Sequence, residues 1–132
     1  MIDMILQRVM QAQQTVLLDT LGEFQVGAND FRLVRRQHDA TCVFVIPAAD
    51  DNLENPVIAF NKATHLADDL SYWKVVTPSS QDSNLSLEGG RWFLYSGVLR
   101  TRTDLGTTDF HAAMQFVAKS YIETFGYGVS KQ

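Results

Sequence analysis

Residues 90–125, GRWFLYSGVLRTRTDLGTTDFHAAMQFVAKSYIETF, set an apolar stretch, a turn and an amphipathic repeat side by side. Within 91–100, Trp92, Leu94, Ser96 and Val98 share one face of a strand, and Phe93, Tyr95, Gly97 and Leu99 the other. An antiparallel strand with one wet side alternates apolar with polar, so a strand that is apolar on both faces needs two covers. Downstream, Phe110, Ala113, Met114, Val117, Ala118, Tyr121 and Phe125 recur at three- and four-residue spacing, which predicts a helix with a continuous apolar stripe. Thr107 or Thr108 is its expected cap, Asp109 lies in its first turn, and Gly126 terminates it. That helix supplies one cover. The other has to come from elsewhere in the chain or from a second chain.

Upstream, Ile2, Ile5, Leu6, Val9, Ala12, Val16 and Leu17 form a second helical stripe over 2–19, with Gly22 as its stop. The following stretch, EFQVGANDFRLVRRQHDATCVFVIPA, alternates at Phe24 and Val26 and again at Phe31 and Leu33. Turn residues at 27–30 and 37–39 separate these runs, and 41–46 is a continuous β-branched and aromatic run, so three strands in hairpin order are expected. A polar loop at 47–56 lies between Pro47 and Pro56, and 57–60 is a short apolar segment. Asn61 is a suitable cap for a short helix reaching Leu70, with Ala63, Leu66 and Ala67 as its apolar positions. A further strand is expected at 72–76, then a surface loop over TPSSQDSNLSLEGG at 77–90. The expected fold is α+β: one domain over 1–132, an antiparallel sheet of four to five strands, amphipathic helices at both ends and a short helix in the middle.

At 132 residues the chain is long enough to bury a core without staples, and its 45% hydrophobic and 20% charged content is that of an ordinary globular protein. The net charge of −4 and only 11 scattered Lys and Arg disfavour a polyanionic partner, so nucleic acid is not expected. A single cysteine, Cys42, allows no disulfide within one chain and fits a reducing compartment. The opening MIDMILQRVMQ lacks a charged region ahead of an apolar run, and no stretch reaches the roughly 20 apolar residues of a membrane span. A cytoplasmic location is expected, with no membrane contact.

No chemistry stands out. His38, His65 and His111 show no metal-ligand spacing; His65 and Asp69 could share a helix face, but two ligands do not make a site. Cys42 shares a strand face with Phe44 and Ile46, which reads as a buried thiol rather than a nucleophile. No nucleophile elbow or phosphate-loop spacing is present. Arg35, Arg36, Arg91, Arg100 and Arg102 flank strands, where surface ion pairs and edge protection are the ordinary explanation and an anion-binding patch the sharper one. No catalytic, cofactor-binding or metal-ligating residues are assigned, and no cofactor is expected.

The segment FNKATHLADDL and the closing RWFLYSGVLRTRTDLGTTDFHAAMQFVAKSYIETF resemble the short-helix opening and the strand, threonine-capped turn and amphipathic helix of YbjN-like proteins. The element order is also similar to that of the type III secretion chaperones, from which this chain differs in its longer Ser-rich loop. The resemblance covers the C-terminal part of the chain by pattern. It implies a homodimer that binds an extended partner segment over apolar sheet and helix surfaces, without catalysis or cofactor.

A bare apolar sheet face is an aggregation hazard in a monomer, so a homodimer or a protein client is the leading expectation, with Phe31, Leu33, Phe44 and Trp92 as out-facing contact residues. A different class is a small-molecule binder or enzyme with a pocket between the sheet and the C-terminal helix, lined by Trp73, Trp92, Tyr95 and His111. A phage-type structural or assembly protein is a third.

Overall fold

The computed structural model describes residues 17–64, 71–78, 83–96 and 101–126. Within them lie β1 (Leu18–Val26), β2 (Asn29–Arg36), β3 (Cys42–Pro47), β4 (Ile58–Thr64), β5 (Ser71–Val76), β6 (Ser83–Glu88), β7 (Arg91–Ser96), β8 (Thr101–Asp104) and α1 (Phe110–Phe125). The strands form one eight-stranded sheet in sequence order, each antiparallel to the last. Turn chemistry drives this meander. At the β6–β7 hairpin, Gly89 and Gly90 both have positive φ (59° and 81°), the geometry of the two-residue turn whose twist matches the flanking strands.

Asp109 caps α1 by accepting a hydrogen bond from the Ala112 amide at 2.8 Å, and the Thr107 hydroxyl accepts from the Asp109 amide at 3.0 Å. Ala113, Met114, Val117, Ala118 and Ile122 are its buried face. Phe110 lies 4.7 Å from the rings of both Trp73 in β5 and Trp92 in β7, while Gln115 sits against Gly22 in β1. Five helical residues cover only about 7.5 Å, whereas six strand spacings in a flat sheet would put β1 roughly 29 Å from β7. The sheet is therefore curled around the helix. A Cβ at position 22 would press on the Gln115 Nε2, the mobile end of that side chain, beside a register shift between Thr20 and Gly22.

The main core lies inside the curl. Phe24, Phe31, Leu33, Val43, Val45, Ile58, Phe60, Trp73, Val75, Leu85 and Trp92 meet the buried face of α1 there. A smaller cluster of Val34, Phe44 and Ile46 lies on the outer face, covered by Leu18, Leu53 and Ala59 and by the Arg36 guanidinium, 5.1 Å from the Phe44 ring. Leu53 belongs to the 48–57 loop, which Arg32 ties to the sheet by bonding the Asp50 carbonyl and the Thr20 hydroxyl.

Several expectations are corrected. The sheet has eight strands, not four or five. The end of the expected N-terminal helix, Leu18 and Asp19, pairs with Arg36 and Arg35 in β1 because the alternation of β2 demands a partner; residues 2–16 lie outside the described residues. The start of the expected middle helix, 61–64, continues β4 opposite β5, since burial of Phe60 and pairing of Asn61 with Lys74 outweigh capping propensity; residues 65–70 lie outside the described residues. Within the expected 77–90 loop, 83–88 is β6, anchored by the fully buried Leu85. Of the expected strand over 91–100, 91–96 forms β7 and residues 97–100 lie outside the described residues; 101–104, read as part of a turn, is β8. The strands near 23–26, 31–35, 41–46 and 72–76 and the C-terminal helix form where the sequence pattern places them.

Candidate functional site

The two faces of β7 find their covers within the chain. Trp92 and Leu94 face the helix-side core. On the outer face Phe93 lies under the Arg102 guanidinium, 3.8 Å from its ring, a cation held over the negative face of the aromatic system. Register does the positioning: Tyr95 is opposite Arg102, and Phe93 opposite Asp104. Arg102 donates from Nε to the Tyr95 hydroxyl at 3.0 Å and from NH2 to Glu88 Oε1 at 2.9 Å, while the Tyr95 hydroxyl donates to Glu88 Oε2. Beside this triangle Arg91 pairs with Asp104 at 3.1 Å, and Asp104 accepts the Gly106 amide at 2.8 Å.

The hydrogen bond from Tyr95, and then that from Arg102, hold the Glu88 carboxyl below its ordinary range. The Gly106 amide and then Arg91 do the same for Asp104, and the Glu88 and Tyr95 bonds raise Arg102. A carboxyl whose folded pKa is depressed contributes stability that is present above its unfolded value and is lost as pH falls through the folded value. For Glu88 that loss begins as pH drops past about 4.5. The urea midpoint of the wild-type protein is therefore expected to fall below that pH, with a shallower fall in Glu88→Gln; parallel profiles would show that the triangle contributes nothing.

These residues border β8, the last strand of the sheet. All four of its residues are exposed, and among the described residues no strand lies beyond it. Leu105 donates its amide to the Trp92 carbonyl at 3.0 Å. By the alternation of an antiparallel ladder, Thr101 and Thr103 then turn their main-chain groups towards β7, and Arg102 and Asp104 turn theirs to the open edge. The opposite edge differs: β1 carries the register shift at Thr20 and Gly22, acidic Asp19 and Glu23, and the contact with α1.

The four expected contact residues do not form one surface. Phe31, Leu33 and Trp92 are buried on the helix side and Phe44 in the outer cluster. Trp73 and Trp92 flank Phe110, with His111 beside it, and Leu85 and Met114 are buried in the same helix-side core; Tyr95 is on the other face. Arg35, Arg36, Arg91 and Arg102 each pair with a carboxylate (Asp19, Asp39, Asp104 and Glu88), as surface ion pairs do; Arg100 lies outside the described residues. Cys42 is a half-buried free thiol that donates to the Asn61 side chain at 3.1 Å. Among the described residues no group of three or more His, Cys, Asp or Glu could hold a metal, and no helix is long and apolar enough to cross a membrane. His38 occupies the β2–β3 turn, and His65 lies outside the described residues. A shallow hollow of about 460 Å³ opens between the β1–β2 turn and the end of β3, beside Asp30, Phe31 and Ala48. Of this edge cluster, the sequence reading singled out Arg102 only as part of an arginine patch and Tyr95 only as a pocket-lining residue, and it did not single out Glu88 or Asp104. The alternation TRTD was the one available signal.

No protein-family model, curated protein or solved structure matches the chain.

Proposed function

We propose that the chain is a non-catalytic, chaperone-like protein-binding protein of the cytoplasm that works as a homodimer and binds by main-chain pairing at its open sheet edge. The observation that supports this is β8: a strand of four exposed residues, free of proline and bulge, whose outward main-chain groups are a template for another strand. The apolar faces that first pointed to a partner are covered by α1, Leu53 and two arginines, so the contact moves from face to edge. The lone, unbridged Cys42 supports the cytoplasm.

An edge this short makes a modest interface, and the association is expected to be concentration-dependent. Sedimentation equilibrium over a dilution series should give a mass that climbs from 14.8 kDa towards twice that value. A mass that stays at the monomer value up to the solubility limit removes the reading.

A further inference from the structure

We infer that the edge partner of β8 is β8 of a second copy, paired antiparallel about a two-fold axis through Thr103, with Arg102 of each chain facing Asp104 of the other. This rests on the homodimer reading above and specifies its interface.

Symmetry and charge leave one register. A two-fold axis normal to the sheet maps the outer face onto itself, so residues opposite each other must share a face. Arg102 and Asp104 lie on the outer face and Thr101 and Thr103 on the helix side. Three alignments of this short strand then keep its outward-turned main chain paired. An axis through Arg102 opposes two guanidinium groups, and one through Asp104 opposes two carboxylates; like charges directly across a ladder are unfavourable. An axis through Thr103 puts Arg102 against the partner's Asp104 twice. It also lets each such pair exchange both main-chain hydrogen bonds, because these are the residues whose N–H and C=O turn outward.

The edge is prepared for this. Phe93, Tyr95 and Glu88 hold the Arg102 guanidinium, and Arg91 and the Gly106 amide hold Asp104, so little side-chain freedom is left to lose on pairing. Held over β7, the Arg102 guanidinium acts on the partner's Asp104 through its charge, and a direct bond across the edge requires it to leave Glu88. The alternation of cation and anion makes the strand complementary to itself. The β1 edge, with acidic Asp19 and Glu23 and a register shift, lacks that property.

The test uses the whole chain in sedimentation equilibrium. Arg102→Asp presents two acids at each edge and Asp104→Arg two bases, so each variant alone is expected to dissociate about ten-fold more readily than wild type, since both cross-edge pairs become repulsive. An equimolar mixture of the two should recover association, because acids then face bases at both pairs. As a second measurement that leaves the charged cluster intact, Thr103→Cys should form a disulfide-linked dimer under mild oxidation. Facing residues at a non-hydrogen-bonded position have Cα atoms about 4.5 Å apart, within disulfide range. Thr101→Cys should not, since it faces the partner's Leu105. Unchanged association of both charge variants, failure of their mixture to associate, or equal crosslinking at 101 and 103 overturns this interface and leaves the homodimer reading in place. A monomeric wild type removes both.

Discussion

Phe60→Ala is expected to lower the free energy of unfolding by about 3–5 kcal/mol, the cost of truncating a buried aromatic and leaving a cavity. Phe60 has no exposed surface, sits in β4 near the middle of the sheet, and is opposite Val43 on one side and Val75 on the other. Neither β3 nor β5 can move in to fill the gap without distorting its ladder to β4. A domain of this size is stable by about 5–15 kcal/mol, so roughly a fifth or more of the total is at stake. Urea denaturation should show the midpoint falling with the slope unchanged. Phe116→Ala is the internal comparison: that ring is 50% exposed on α1, and its loss should stay within about 0.5 kcal/mol. Equal effects at the two positions would mean that Phe60 is not the core residue the fold makes it.

Met114→Glu is expected to cost about 3–5 kcal/mol at neutral pH, as an uncompensated buried charge does. Met114 has no exposed surface, and its neighbours between helix and sheet are apolar. The glutamate is close to methionine in length, so shape changes little and charge dominates. Burial raises a carboxyl's folded pKa, so the deficit should be smallest below the unfolded value of about 4.3, grow as pH rises through the interval above it, and level off beyond the raised value. That trend opposes the wild-type one set by Glu88. Met114→Gln, with no charge, should lose less and show no such trend. The same pair of variants tests the pocket idea. A polar cleft between sheet and helix would tolerate the acid at little cost, and tolerance here would reopen the small-molecule reading.

The sequence made the helix legible because its signal is local. Phe110 to Phe125 repeats with the helical period, and Gly126 accepts the positive φ (73°) at its end. Its cap was placed two residues early or one, at Thr107 or Thr108; Asp109 takes the role, with Thr107 bracing it from outside. β2, β3 and β5 were legible for the same local reason, alternation or a dense β-branched run. β6 and β8 were not. Their compositions, SNLSLE and TRTD, are those of loops, and only pairing makes strands of them, β6 with β5 and β7 and β8 with β7. The edge cluster was hidden for a related reason. Glu88, Tyr95 and Arg102 lie on three strands, and their hydrogen bonds exist only once two hairpin registers are set.

The 91–96 strand, apolar on both faces, shows where sequence stops and tertiary structure takes over. Side-chain chemistry alone required two covers, because bulky apolar groups left in water on either side are unfavourable. Period and turn residues further determined that one cover would be the following helix. What provides the other depended on curl and register. Curling the sheet around α1 brought β1 and β7 to one helix, and hairpin pairing swung Arg102 over Phe93, so of the two sources the pattern had left open, the chain itself supplies the second cover as a cation. Which groups meet across a sheet is set by lateral alignment, which a linear pattern of period two leaves undetermined.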